Sequence, residues 1–101
     1  LAHAKQLGTT TILVCSNTDS ASVDSDEVRV DQLRQNGRLA ADQGMRVAVE
    51  ALAWDGYVHV RAPYEIDRHV DLPNVGVCLD SFHMLALGED PSVIDSMDSS
   101  K

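Results

Sequence analysis

Three short apolar runs divide the chain, and the gaps between them are each long enough for one helix. The runs are Ile12-Leu13-Val14-Cys15, residues 45–52, and Val75-Gly76-Val77-Cys78-Leu79. Residues 9–15 are β-branched and continuous, without alternation, which is how a strand buried on both faces reads. Glu50 falls near the end of the second run and Asp80 just after the third, 30 residues later. A strand–helix–strand unit takes roughly 30 residues or more. The chain therefore reads as α/β, with parallel β/α units and right-handed crossovers.

The segments between the runs support this. Residues 1–7 read as the end of a helix stopped at Gly8. Residues 16–25 form a polar loop. Asp24-Ser25-Asp26-Glu27 places an N-cap three residues before a Glu, the capping-box spacing, and a helix then runs to about Gln43. Val30, Leu33, Gly37, Ala40, Ala41 and Gly44 fall on one small, apolar face, with Asp31, Arg34, Arg38 and Asp42 opposite. Gly44 suits the left-handed stop. A loop over 54–60 precedes a helix opened by Pro63 and closed before Leu72-Pro73-Asn74. A loop over 80–89 follows the third strand. Asp90-Pro91 opens a last helix, with Val93, Ile94 and Met97 on one side, and residues 98–101 fray.

The 101 residues are 44% hydrophobic, enough for one modest core, and neither a linker nor a repeat divides residues 1–101. The first residue is Leu1 rather than Met, so residues are expected to precede it. A net charge of −8, from 16 acidic and 8 basic residues, argues against a nucleic-acid partner, which needs clustered Lys and Arg. No apolar run approaches the roughly 18 residues of a membrane span, and no secretory signal is visible. No membrane partner is expected, and a cytoplasmic location is. Cys15 and Cys78 each lie in a strand-like run and are expected as buried free thiols, in keeping with a reducing compartment. There is no Gly-rich phosphate loop, nucleophile elbow or CxxC pair.

Chemistry concentrates at the strand ends. Neighbouring parallel strands lie about 4.8 Å apart. Glu50 and Asp80 would share the C-terminal rim of the sheet, where α/β proteins place their active sites. Two adjacent carboxylates repel, and one must take a proton unless a cation is present. Carboxylate oxygens suit Mg²⁺ or Mn²⁺, and adding an imidazole also accommodates Zn²⁺. The alternative role for each acid is to cap a loop or helix. His83, three positions after Asp80, points into the same mouth as a metal ligand, a general base or a structural hydrogen-bonder. His59 lies in the loop after Glu50 and could reach the mouth, whereas His3 and His69 fall on helices away from it. Trp54 either walls the pocket or packs under the loop. Ser16, at the end of the first strand, either bonds a substrate hydroxyl or forms a turn.

The runs Glu50-Ala51-Leu52-Ala53-Trp54 and Leu72-Pro73-Asn74-Val75-Gly76-Val77-Cys78-Leu79-Asp80-Ser81-Phe82-His83-Met84-Leu85 resemble the xylose-isomerase-like TIM-barrel superfamily, which includes sugar phosphate isomerases and epimerases. Within it the sequence is most similar to bacterial 3-dehydroshikimate dehydratases. Residues 6–17 resemble the third strand of that family and its approach. The resemblance implies a partial TIM barrel, about strands three to five of a (β/α)8 barrel that needs ~250 residues in all. It implies that Glu50 and Asp80 are ligands of a divalent metal, with Mg or Mn favoured over Zn. It makes His83 the base or an immediate neighbour of the substrate. Two further ligands, a Gln or His and then a Glu, are expected on later strands. Where the dehydratases show a small and a basic residue after Trp54, this sequence has Asp55, Gly56 and Tyr57. The implied function is a metal-dependent lyase acting on a small molecule, with the 101-residue piece inactive alone. The alternatives are a sugar phosphate or inositol-type isomerase or epimerase, and a non-catalytic truncated piece that self-associates, a possible homo-oligomer.

Overall fold

The computed structural model describes residues 1–17, 19, 25–53 and 59–101. Helix α1 (Ala2–Gln6) leads into strand β1 (Thr11–Cys15), followed by α2 (Asp26–Ala41), β2 (Arg46–Glu50), α3 (Arg61–Val70), β3 (Val75–Cys78), α4 (Ser81–Ala86) and a 3-10 helix over Pro91–Ser96. The three strands form one parallel sheet in the order β1-β2-β3.

Alternation along the strands sorts the residues onto two faces. Ile12 pairs with Val47, and Val47 with Val75; Val14 pairs with Val49, and Val49 with Val77. On that face α2 and α3 cover the sheet, and Val47, Val49 and Val75 join Leu33, Ala40, Ile66 and Val70 in the core. On the other face the rows run Leu13–Ala48–Gly76 and Cys15–Glu50–Cys78. Glu50 of β2 thus lies on the face opposite the helices.

Of the expected α2 stripe, Leu33, Gly37 and Ala40 are buried, while Ala41 and Gly44 are exposed. A Cβ on Gly37 would come within 2.6 Å of Val75 Cγ2, so the absent side chain is what lets α2 approach β3. Asn74 fastens that contact, donating to the carbonyls of Gly37 at 2.8 Å and Met45 at 3.2 Å.

Four expectations need correction. The N-cap of α2 is Ser25 rather than Asp24, and its hydroxyl accepts from the Val28 N–H at 3.3 Å, so Glu27 does not complete a capping box. The expected loop over 80–89 contains α4, capped by Asp80. The last helix is capped by Asp90 as expected but winds as a 3-10 turn. Finally, both thiols are free as expected, but Cys15 is exposed and Cys78 half-buried, because their row lies on the face opposite the helices. Two strand spacings of ~4.8 Å separate them, beyond disulfide reach.

Candidate functional site

Glu50 ends β2, and Asp80 stands two residues past the end of β3, on the same face as Cys78. His83 follows in α4 and is buried. One donor atom from each of Glu50, Asp80 and His83 falls within 4.8 Å of the other two. That span is comparable with two metal–ligand bonds of about 2.0–2.2 Å each. Glu50 and Asp80 therefore fit a divalent cation: two carboxylate oxygens converge, with two negative charges to neutralise, and the His83 imidazole stands beside them.

Hydrogen bonds hold two of the three members. Asp80 Oδ1 accepts the Phe82 N–H at 2.7 Å, the N-cap bond of α4, which leaves Oδ2 for a second partner. The capping role and the ligand role thus divide between the two oxygens of one carboxylate. His83 Nδ1 accepts the Ala53 N–H at 3.1 Å. A ring nitrogen that accepts carries no proton, so neutral His83 holds its proton on Nε2. In this state the ring donates through Nε2; acting as a base there requires the proton on Nδ1 and the Ala53 bond broken. Ala51, Val60, Cys78, Met84 and Leu87 pack around Asp80, His83 and Glu89 as the walls of a narrow cleft with no space for a water molecule. Burial, and next the Glu50 and Asp80 charges, push the Cys78 thiol up, so it stays protonated beside the acids.

The other sequence candidates scatter. Ser16 is half-buried at the end of β1, one residue past the Cys15–Glu50 pair, and does not line the cleft. His59 is exposed, with Nδ1 3.4 Å from Glu89 Oε1. Trp54 lies outside the described residues. His3 and His69 sit on α1 and α3 as expected, and His69 Nδ1 is 2.7 Å from the Glu65 carbonyl. Glu89 joins the site although no sequence signal marks it. It follows a glycine stop and precedes the Asp90-Pro91 cap, and nothing in that pattern signals a contact 29 residues upstream. A larger groove of about 530 Å³ between α2 and α3 contains Arg34, Glu65 and His69 but none of the strand-end residues, so it is not this site.

Residues 1–100 match the family described as xylose isomerase-like TIM barrel. The chain is 40% identical over 98 residues to a 3-dehydroshikimate dehydratase of Pseudomonas putida and 38% identical to one of Pseudomonas aeruginosa. Each match covers 96% of this chain but only 15% and 16% of the relative, so the chain spans about a sixth of those proteins. Among solved structures, a xylose isomerase-like TIM barrel/4-hydroxyphenylpyruvate dioxygenase fusion protein superposes with a TM-score of 0.92 at 38% identity, over 97% of this chain and 16% of that one. The IolI protein with a bound zinc atom gives 0.88 at 25% identity, over 99% and 38%. The three parallel β/α units are thus part of a TIM barrel, and the chain belongs to the xylose isomerase-like TIM barrel family.

Proposed function

We propose that the protein carrying this chain is a divalent-metal-dependent lyase that dehydrates 3-dehydroshikimate to protocatechuate. The observation that carries this reading is the convergence of Glu50, Asp80 and His83 in a chain 40% identical, over 96% of its length, to a dehydratase of that name. Glu50 and Asp80 would hold the metal, which when bound supplies polarisation of the substrate ketone. The zinc in the IolI neighbour supports a metal in this fold. His83 works through Nε2. With Nδ1 released from the Ala53 N–H and carrying the ring proton, Nε2 takes the proton next to the ketone and returns it to the departing hydroxyl, which leaves as water. Ala51, Met84 and Leu87 make the surrounding wall apolar, which strengthens the hydrogen bonds made there.

The test is ultraviolet detection of protocatechuate formed from 3-dehydroshikimate by the intact protein. Glu50→Ala and Asp80→Ala are expected to abolish turnover and lose the metal by elemental analysis. His83→Ala is expected to lower kcat by about 10²–10⁴-fold while the metal stays bound. Full metal content in the two carboxylate variants would sink the ligand assignment. The family's xylose isomerase-like character supports a second reading, a sugar phosphate or inositol-type isomerase or epimerase. Interconversion of such a sugar, with no protocatechuate formed, would establish that reading instead.

A further inference from the structure

The segment joining β2 to α3 is tied at both ends to α4 and the turn that follows it. At its start, the Ala53 N–H bonds His83 Nδ1. At its far end, the Val60 N–H is shared between the two carboxylate oxygens of Glu89, at 3.1 and 3.3 Å. His59 Nδ1 lies 3.4 Å from Glu89 Oε1. The Glu89 side chain is only 9% exposed, against 59% for His59. A carboxylate so stripped of water is costly unless a donor replaces the water, and here the Val60 N–H bonds both oxygens while the His59 ring stands beside Oε1.

The backbone explains why Glu89 is in place. Leu87 caps α4, and Gly88 then takes the left-handed conformation at φ +68. The Gly88 and Glu89 N–H groups turn back to the carbonyls of Leu85 and Met84, at 3.1 and 3.0 Å. This glycine stop fixes Glu89 to the same helix that carries His83.

We propose that Glu89 is a positioning residue for substrate recognition: it pins Val60 in the cleft wall and His59 just outside it, and its carboxylate draws the His59 ring proton to Nδ1. His59 Nε2 is then an acceptor, suited to a hydroxyl of a polyhydroxylated ring, whereas His83 Nε2 is a donor. The two histidines carry opposite hydrogen-bonding character because one Nδ1 meets a carboxylate and the other an amide N–H. The substrate half of this proposal rests on the dehydratase reading; the anchor does not.

The experiment uses the intact protein with 3-dehydroshikimate, together with amide exchange at Ala53 and Val60. Glu89→Gln keeps an acceptor for the Val60 N–H but loses the charge facing His59. It is expected to raise KM by up to about tenfold, with kcat within about twofold and metal content unchanged. Glu89→Ala should in addition speed exchange at Val60 while Ala53 stays protected. His59→Ala should raise KM similarly, and combining it with Glu89→Gln should add nothing further. A KM for Glu89→Gln equal to that of the parent, or effects that multiply in the double variant, would overturn the positioning role. Unchanged Val60 protection in Glu89→Ala would overturn the anchor. Absence of turnover by the parent protein would overturn the substrate half alone, with the anchor still judged by exchange.

Discussion

Asp80 serves two partners with one carboxylate, and substitution can separate them. Oδ1 caps α4 through the Phe82 N–H, which Asn does about as well as Asp. Charge, by contrast, is what a divalent cation needs. Asp80→Asn is therefore expected to lose the metal while metal-free stability in urea stays within about 0.5 kcal/mol of the parent. Asp80→Ala should lose the metal and about 1 kcal/mol as well. A second residue-scale prediction concerns Gly37. In a helix interior, Gly→Ala ordinarily gains up to about 1 kcal/mol. Here the new methyl would meet Val75 Cγ2 at 2.6 Å and Leu72 Cδ1 at 2.9 Å, with Val75 fully buried and unable to yield. Overpacking costs about 1–3 kcal/mol, so Gly37→Ala should destabilise the protein, read as a lower urea midpoint.

At the scale of elements, α3 carries a charge that burial makes costly. Asp67 is fully buried, both its oxygens lack hydrogen-bond partners among the described residues, and its nearest cation is Lys101 Nζ at 3.8 Å. Loss of water raises its pKa from the ordinary 3.8, the Lys101 charge opposes the rise, and Asp71 adds to it. Between that ordinary value and the raised folded value, the folded state binds more protons than the unfolded state. Unfolding free energy therefore falls as pH rises through the window. Asp67→Asn should remove that fall, measured as urea midpoints across acidic pH, and the share of the slope due to Asp67 should die away as pH drops below the ordinary 3.8. Which elements were legible in the sequence follows from their length and surroundings. The strands read as continuous apolar runs and α2 as a periodic face over enough residues to be recognised, and the 30-residue step placed Glu50 and Asp80 on one rim. The six-residue α4 is too short for periodicity, and only Asp80 as its cap marked it. The tautomer of His83 depends on the Ala53 N–H, 30 residues upstream. Glu89 acts on Val60 through a glycine stop that in sequence reads as a loop end.

For the whole molecule, the sheet has one covered face and one on which Leu13 remains 55% exposed. A strand like β1, with one sheet neighbour among the described residues, offers an unpaired edge beside that apolar row. In a complete barrel the remaining strands close such edges and the inner face becomes core. The 101-residue segment produced alone should then bury that face some other way. Hydrophobic faces and open edges favour association over solution as a monomer. It is expected to scatter light as oligomers and to show no dehydratase turnover, since the chain spans about a sixth of the dehydratases it matches. Leu13→Glu should shift the isolated segment toward monomer. The same change in the intact protein should destabilise it, because there the carboxylate would enter a packed interior, where an unpaired charge costs several kcal/mol. A monomeric parent segment, or association unchanged by Leu13→Glu, would show that the exposed face and edge do not drive assembly.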